Sequence, residues 1–512
     1  MMQAITRLTG VLIVIILTMF AAGHPRVLKA RAQSVLATRT ASMLAPERHT
    51  RGPVEGKAIS GTPARQRATG GGARRTRAAG AAGDVKLVVA LFRHGVRAPL
   101  KEFGTHAAEH SGCDWPALVG DWKVGAEGWA DLTPHGRDLA TLVGGFYAGQ
   151  YKGWGTDYKV YLWADVDQRT KATAEAIAQG FKDNGVRNVE VDYLRDQPQD
   201  QGKDEKVDPL FHPFKAGCAK VRPEDVSGIV DDIKAHVDRW IAEHSKGFSL
   251  LSRTLDCPAT AACKGLPSAC KPLDKVTDEV NACLTPKDCS APIKWTGRFS
   301  YASSATEAFL LEYGNAMPDD RVGWGRIYPP SAGQSSMKEM LRFHEFYFDK
   351  TDRVPILALI QASNLLREIS KTIRQEPGGC QHAPLDSKFV GLVGHDTNLA
   401  SLGSLLRLKW SFDSVALPAD TRGLPANDAL PAGALAFELL ERGGRRFIRL
   451  NYVTQSLGQM HWARKGAFRL RVGYYDEHGH LHPSFEMPLE RFNQLVDKVL
   501  AGSRFLCECR KG

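Results

Sequence analysis

The stretch KLVVALFRHGVRAP, residues 86–99, decides how this chain is read. Its first seven residues form a nearly continuous apolar run, the pattern of a strand buried on both faces of a parallel sheet. Ligands of open α/β sheets sit beyond the carboxyl ends of such strands. The residues at that end are Arg93, His94, Gly95, Val96 and Arg97. Planar guanidinium groups match phosphate oxygens bidentately. A histidine between two of them would face a phosphorus whose negative oxygens are neutralised, the arrangement that nucleophilic attack requires. Gly95 is expected to let the backbone turn tightly or approach a ligand.

Two further segments repeat the plan. KVYLW at 159–163 reads as a second buried strand, followed by Asp165-Val166-Asp167-Gln168-Arg169-Thr170 and a helix through Thr170–Phe181 with Asp167 as N-cap. Arg169 then lies at a helix N-terminus, which already favours an anion. FVGLV at 389–393 reads as a third strand, followed by Gly394-His395-Asp396-Thr397-Asn398 and a helix from Thr397. There His395 can donate to a phosphoryl oxygen and Asp396 can protonate a departing alcohol. Strand, loop and helix in repetition predict an α/β fold with a doubly wound, mainly parallel sheet. The middle departs from this plan. Val226–Glu243 carries Ile229, Ile233, Val237 and Ile241 on one helical face, and Ser304–Tyr313 and Met337–Phe348 also read as helices. The expected organisation is therefore an α/β core over 84–195 and 346–512, with a mostly helical cap inserted at 196–345. Strand patterning returns at Ala436–Leu440, Phe447–Tyr452 and Phe468–Tyr475.

The net charge of +11 suggests an acidic partner until its distribution is examined. Residues 24–83 hold 12 Lys+Arg against 2 Asp+Glu, whereas 84–512 is balanced at 54 of each sign. The basic character belongs to an Ala/Arg/Gly-rich segment, expected to be a disordered linker because it lacks the apolar surface to offset chain entropy. The folded part has no charge signature of nucleic-acid binding. Residues 1–23 run from Arg7 through the apolar Val11–Phe20 to Ala21-Ala22-Gly23, the order of an export signal, either cleaved or retained as an N-terminal anchor. This predicts a periplasmic or secreted protein. Ten cysteines behind such a signal read as disulfides with open connectivity, and five of them crowd into 257–289. The run Asp476-Glu477-His478-Gly479-His480-Leu481-His482 could suggest a metal site, but reads better as a hairpin turn.

These motifs resemble the histidine acid phosphatases of the histidine phosphatase superfamily. RHGVRAP at 93–99, the later His395-Asp396 pair and the intervening Arg169 match that family's signature. LTPHG at 132–136 is similar to its LTxxG element. ADVDQRT at 164–170, DPLF at 208–211, TEAFLL at 306–311, GWGRI at 323–327 and HDTNLASL at 395–402 resemble the periplasmic phytase and glucose-1-phosphatase group. The resemblance covers 84–512. It implies a phosphomonoesterase in which His94 is the nucleophile, Asp396 the proton donor, and Arg93, Arg97, Arg169 and His395 hold the phosphate. It also implies a helical cap over the pocket, no metal and no organic cofactor, with a small-molecule phosphate ester as partner; a monomer is expected. Lys101 and Glu307 are candidate substrate contacts, since related phytases carry a lysine at the matching place and Glu307 matches a substrate-facing position. Lys101 and HDTN point to phytate, while Leu100 and MPDDRVGWG at 317–325 look more like the sugar-phosphatase side. A phosphoglycerate-mutase-type enzyme also uses Arg-His-Gly, but the export signal, the His-Asp pair and the large insertion argue against it. A catalytically silent phosphate-ester-binding module would more naturally lack His94 or Asp396.

Overall fold

The computed structural model describes residues 85–100, 128–195, 207–255, 273–287, 289–327, 336–376 and 383–507. The apolar run at 86–92 is the heart of β1 (Val85–Arg93). Successive side chains of a strand point to opposite faces, and β1 uses both. Val88, Ala90 and Phe92 pack with α1 (Pro134–Gln150) and α2 (Gln168–Asp183), while Leu87, Val89 and Leu91 join the opposite layer. Thr133 caps α1 by accepting from Gly136 N at 2.9 Å, and Pro134 opens the helix where its missing N–H costs nothing.

Between α1 and α2 runs β2 (Lys159–Ala164), and β3 (Asn188–Tyr193) follows α2. The chain then supplies α3 (Pro223–Glu243), α4 (Ser245–Thr254), the hairpin β4 (Glu279–Ala282) and β5 (Ile293–Thr296), α5 (Arg298–Gly314) and α6 (Ser336–Thr351). On α3 the buried face is Val226, Val230, Ile233, Val237, Trp240 and Ile241, with Ile229 only partly buried. The chain returns through α7 (Pro355–Arg374) to β6 (Ser387–Gly394), α8 (Asp396–Leu405) and the short β7 (Leu408–Lys409). The C-terminal part is β8 (Ala434–Arg442), β9 (Arg445–Thr454), α9 (Leu457–His461), β10 (Phe468–Arg471), β11 (Gly473–Tyr475), β12 (Leu481–His482), β13 (Glu486–Pro488) and α10 (Leu489–Leu500).

The main sheet is eight-stranded in the order β10-β9-β8-β1-β6-β2-β3, with β13 also pairing β9. The four strands β1, β6, β2 and β3 are mutually parallel, and β8 joins β1 antiparallel at the head of the C-terminal meander. The α/β reading thus holds, as a mixed sheet with its site-bearing strands parallel. One C-terminal expectation is corrected. Phe468–Tyr475 is not a single strand, because β10 pairs with β9 whereas β11 pairs with β7 and β12 in a separate three-stranded sheet. The break falls at Val472, whose carbonyl accepts from Phe485 N at 2.6 Å.

Two disulfides join described cysteines, Cys218–Cys507 and Cys283–Cys289. Cys113, Cys257, Cys263, Cys270, Cys380 and Cys509 lie outside the described residues, as does the N-terminal segment 1–84. Asp476–Gly479 forms the expected turn between β11 and β12, with Asp476 Oδ1 accepting from His478 N and His480 N at 2.9 Å each. Among the described residues, no helix is long and apolar enough to cross a membrane.

Candidate active site

Three neighbouring strands end in linked loops. His94 N donates to Gly394 O at 2.9 Å and Asp165 N to Val393 O at 3.0 Å, so the chain after β1 and after β2 leaves in register with β6. The loop after β1 is zipped onto residues 130–133: Thr133 N donates to Val96 O at 3.0 Å, Ala98 N to Asp131 O at 2.9 Å and Ala130 N to Pro99 O at 2.8 Å. This corrects the reading of Gly95. A Cβ there would sit 2.9 Å from Leu132 Cδ1, and one on Gly136 would sit 2.1 Å from Val96 O. Both glycines serve the close approach of the β1 loop to the start of α1, which gives the LTPHG element its physical purpose.

His94 is buried, with 2% of its surface exposed. Its Nδ1 lies 2.9 Å from Gly95 O, an atom that can only accept. In the neutral ring Nδ1 therefore carries the proton, and Nε2 is left with its lone pair. Burial first, then the charges of Arg97, Arg169 and Arg93, hold the imidazole pKa well below its ordinary 6.5. Burial and the arginines together therefore keep the nucleophile candidate unprotonated.

Arg93 is fully buried and Arg97 is 4% exposed. Arg93 forms ion pairs with Glu307 and with Asp396 Oδ2, the latter at 2.9 Å, and Arg97 reaches the same Glu307 oxygen at 3.0 Å. Arg169 opens α2 beside Asp167, 2.6 Å from its carboxylate. Asp167 stands at the N-cap position as expected, but its side chain turns to Arg169 and makes no cap hydrogen bond. The Nε atoms of Arg93, Arg97 and Arg169 are all buried without a hydrogen-bond partner among the described residues. Buried donors are ordinarily satisfied, so three orphans around one histidine call for an anionic acceptor.

His395 caps α8 from the end of β6, and its ring lies 5.5 Å from that of His94. Its Nε2 is 2.8 Å from Asp165 Oδ2, and burial sets its pKa below the ordinary value despite that carboxylate. Asp396 begins α8 and is 9% exposed. Burial alone would raise its pKa, but Arg93, His344, Arg97 and His395 outweigh it and hold the carboxyl far below the ordinary range. Glu307 is buried on α5 against the two arginines. Lys101 lies outside the described residues.

Sequence reasoning gave no role to Asp165 or His212. Asp165 is fully buried, and its Oδ2 accepts from both His395 Nε2 and, at 2.7 Å, His212 Nε2. His212 follows the DPLF motif, whose Asp208 orders the loop by accepting from Trp163 Nε1 and Leu210 N at 2.8 Å each. The available signal was ADVD itself, a carboxylate directly after a buried strand.

Fold and site together define a phosphate-ester hydrolase built on a mixed α/β sheet. A family model described as histidine phosphatase superfamily (branch 2) matches residues 84–453. The phytase AppA of Escherichia coli (strain K12) is 31% identical over 74% of this chain and 82% of its own length. The glucose-1-phosphatase of Providencia rettgeri is 25% identical over 63% of this chain and 70% of its own. The Hafnia alvei phytase structure in its apo form is similar with a TM-score of 0.66 at 26% identity, covering 83% of this chain and 98% of that one. The same Hafnia alvei enzyme in complex with myo-inositol hexakis sulphate gives a TM-score of 0.64. The chain belongs to the histidine phosphatase superfamily (branch 2) and is a phosphomonoester hydrolase.

Proposed function

We propose that this protein is an acid phosphatase working through a phosphohistidine at His94, with multiply phosphorylated small molecules such as phytate as its substrates. The carrying observation is the neutral, buried His94 among three arginines with orphaned N–H groups. The substrate phosphate is bound by Arg93, Arg97, Arg169 and His395. The lone pair of His94 Nε2 attacks phosphorus, the P–O bond to the alcohol breaks, and Asp396 gives its proton to the leaving oxygen. The Asp396 carboxylate then takes a proton from water, whose oxygen attacks phosphorus. The P–N bond breaks, releasing phosphate and neutral His94.

Asp396 paired with Arg93 is ionised, yet a general acid must hold a proton. The arriving phosphate resolves this by competing for Arg93, which lifts the Asp396 pKa and couples substrate binding to proton uptake. Glu307, held against Arg93 and Arg97, orients the two guanidinium groups. The helical insertion roofs the site, and its cap boundaries at 196 and 345 belong to the same proposal. Periplasmic or secreted location and a monomeric state complete it.

The phytase relatives and Lys101 support phytate. The glucose-1-phosphatase relatives support a second reading, a sugar-phosphatase-like or broad-range enzyme. Purified protein should release nitrophenol from p-nitrophenyl phosphate, and rapid quench should trap an acid-labile, base-stable phosphoenzyme. No turnover would leave a silent binding module. The kcat/KM on phytate against glucose 1-phosphate, for wild type and Lys101→Ala, decides the substrate. A preference for glucose 1-phosphate that the variant leaves unchanged would discard the phytate reading.

A further inference from the structure

Asp165, His212 and His395 come from three separate segments and meet at one point. Asp165 Oδ2 is 2.7 Å from His212 Nε2 and 2.8 Å from His395 Nε2, and the three atoms lie within 4.8 Å of one another. The other carboxylate oxygen is engaged separately, accepting from Val166 N at 2.8 Å. Two imidazole nitrogens gathered within hydrogen-bond distance of one carboxylate oxygen are a donor set suited to borderline divalent metals.

We propose that these three atoms form a binding site for a divalent transition cation of the zinc class, and that its occupation inhibits the phosphatase. The inhibition rests on the reading of His395 as a phosphate donor, whereas the binding does not. Zinc bonds to nitrogen and oxygen run about 2.0–2.2 Å, so ligand atoms on a tetrahedron stand roughly 3.3 Å apart. The two short edges must open by about half an ångström to reach that spacing. His212 can open its own edge, because its side chain is 30% exposed on a loop, while the other edge opens by a small turn of the His395 ring away from the buried Asp165. The same exposed edge gives the ion its way in. Asp208, through Trp163 and Leu210, orients the loop that carries His212, as outer partners orient metal ligands elsewhere.

The ion would displace the protons that both Nε2 atoms direct at Asp165, so affinity falls as pH falls. The charged groups around the cluster are Asp167, whose Oδ2 is 3.4 Å from His395 Nε2, together with Arg169, Asp208 and Lys215. The cation touches neither His94 nor Asp396. It acts by taking His395 out of the phosphate cradle and is not a cofactor.

The test uses the full chain and zinc alone. Affinity is read by competition with a chromophoric chelator, and inhibition by turnover of p-nitrophenyl phosphate, since polyphosphates would themselves chelate the ion. Wild type should bind one zinc per chain and lose activity with the same midpoint. His212→Asn should keep its turnover and bind zinc at least about tenfold more weakly, with His212→Gln as the alternative if Asn unsettles the loop. His94→Ala should abolish hydrolysis yet bind zinc as wild type does, which separates failure of this site from failure of the catalytic reading. Equal zinc affinity in wild type and both His212 variants, or no binding to wild type at millimolar zinc, would overturn the proposal.

Discussion

Buried carboxylates titrate in opposite directions in two regions of this molecule. At the strand ends, Asp165 and Asp396 are pushed below the ordinary carboxylate range, although burial alone would raise them, because histidines and arginines face them. In the helical layer, Glu312 on α5 is pushed up to about 8 by burial, with only the Gly323 N–H at 2.7 Å to offset it. Asp352, at the junction of α6 and α7, is pushed up to about 6 for the same first reason. Burial pushes all four of these carboxyls up; for Asp165 and Asp396 the facing imidazole and guanidinium groups outweigh it, whereas for Glu312 and Asp352 the nearby partners, Arg353 included, do not.

The most severe way to break the site half of this contrast is His94→Ala. It removes the group that burial and three arginines keep neutral, and turnover should fall by at least about 10⁴-fold with the fold intact by circular dichroism. Next comes Asp396→Asn. Hydrolysis of alkyl phosphates should fall by about 10²–10⁴-fold, and that of p-nitrophenyl phosphate much less, because a good leaving group hardly needs a proton. Equal losses on both substrates would give Asp396 another role.

The scaffold half is tested by Glu312→Gln. A carboxyl raised in the folded state stabilises below its unfolded pKa and loses that advantage as pH rises toward its folded value. Wild-type stability should therefore decline between pH 4.5 and 8, the ordinary and shifted values of this group. The glutamine should flatten that decline and gain at most about 3 kcal/mol at neutral pH, measured by denaturant titration across pH. The smallest effect is expected from Arg97→Gln. Removing the first cation acting on His94 raises the imidazole pKa, so the acid limb of kcat/KM should move to higher pH, whatever happens to its height. An unmoved limb would mean that burial, with Arg169 and Arg93, keeps His94 neutral without Arg97.

Much of this was legible in the chain because short-range pattern and chemistry coincide there. KLVVALF could only be a strand covered on both sides, and RHGVR directly after it had to stand at the strand's carboxyl end. Other features were not legible. Helix α5 starts at Arg298, about a turn and a half before the expected Ser304, because nearly all of it is buried and no polar face marks its beginning. Glu307 read as a candidate substrate contact, and only the fold shows its partners, Arg93 and Arg97, 214 and 210 residues away.

The sequence by itself determined the phosphatase chemistry, the α/β class and the identity of His94, Arg93, Arg97, His395 and Asp396 as the candidate groups. Each sits within a few residues of a strand end, and local pattern reports such positions. Tertiary structure decided which nitrogen of His94 carries its proton, that Arg93 holds Asp396 ionised, and that Asp165 gathers His212 from 47 residues away and His395 from 230. Those facts depend on distances between side chains from separate segments and on how much water is excluded around them. Protonation follows from partners and burial, and neither is written in the order of residues along the chain.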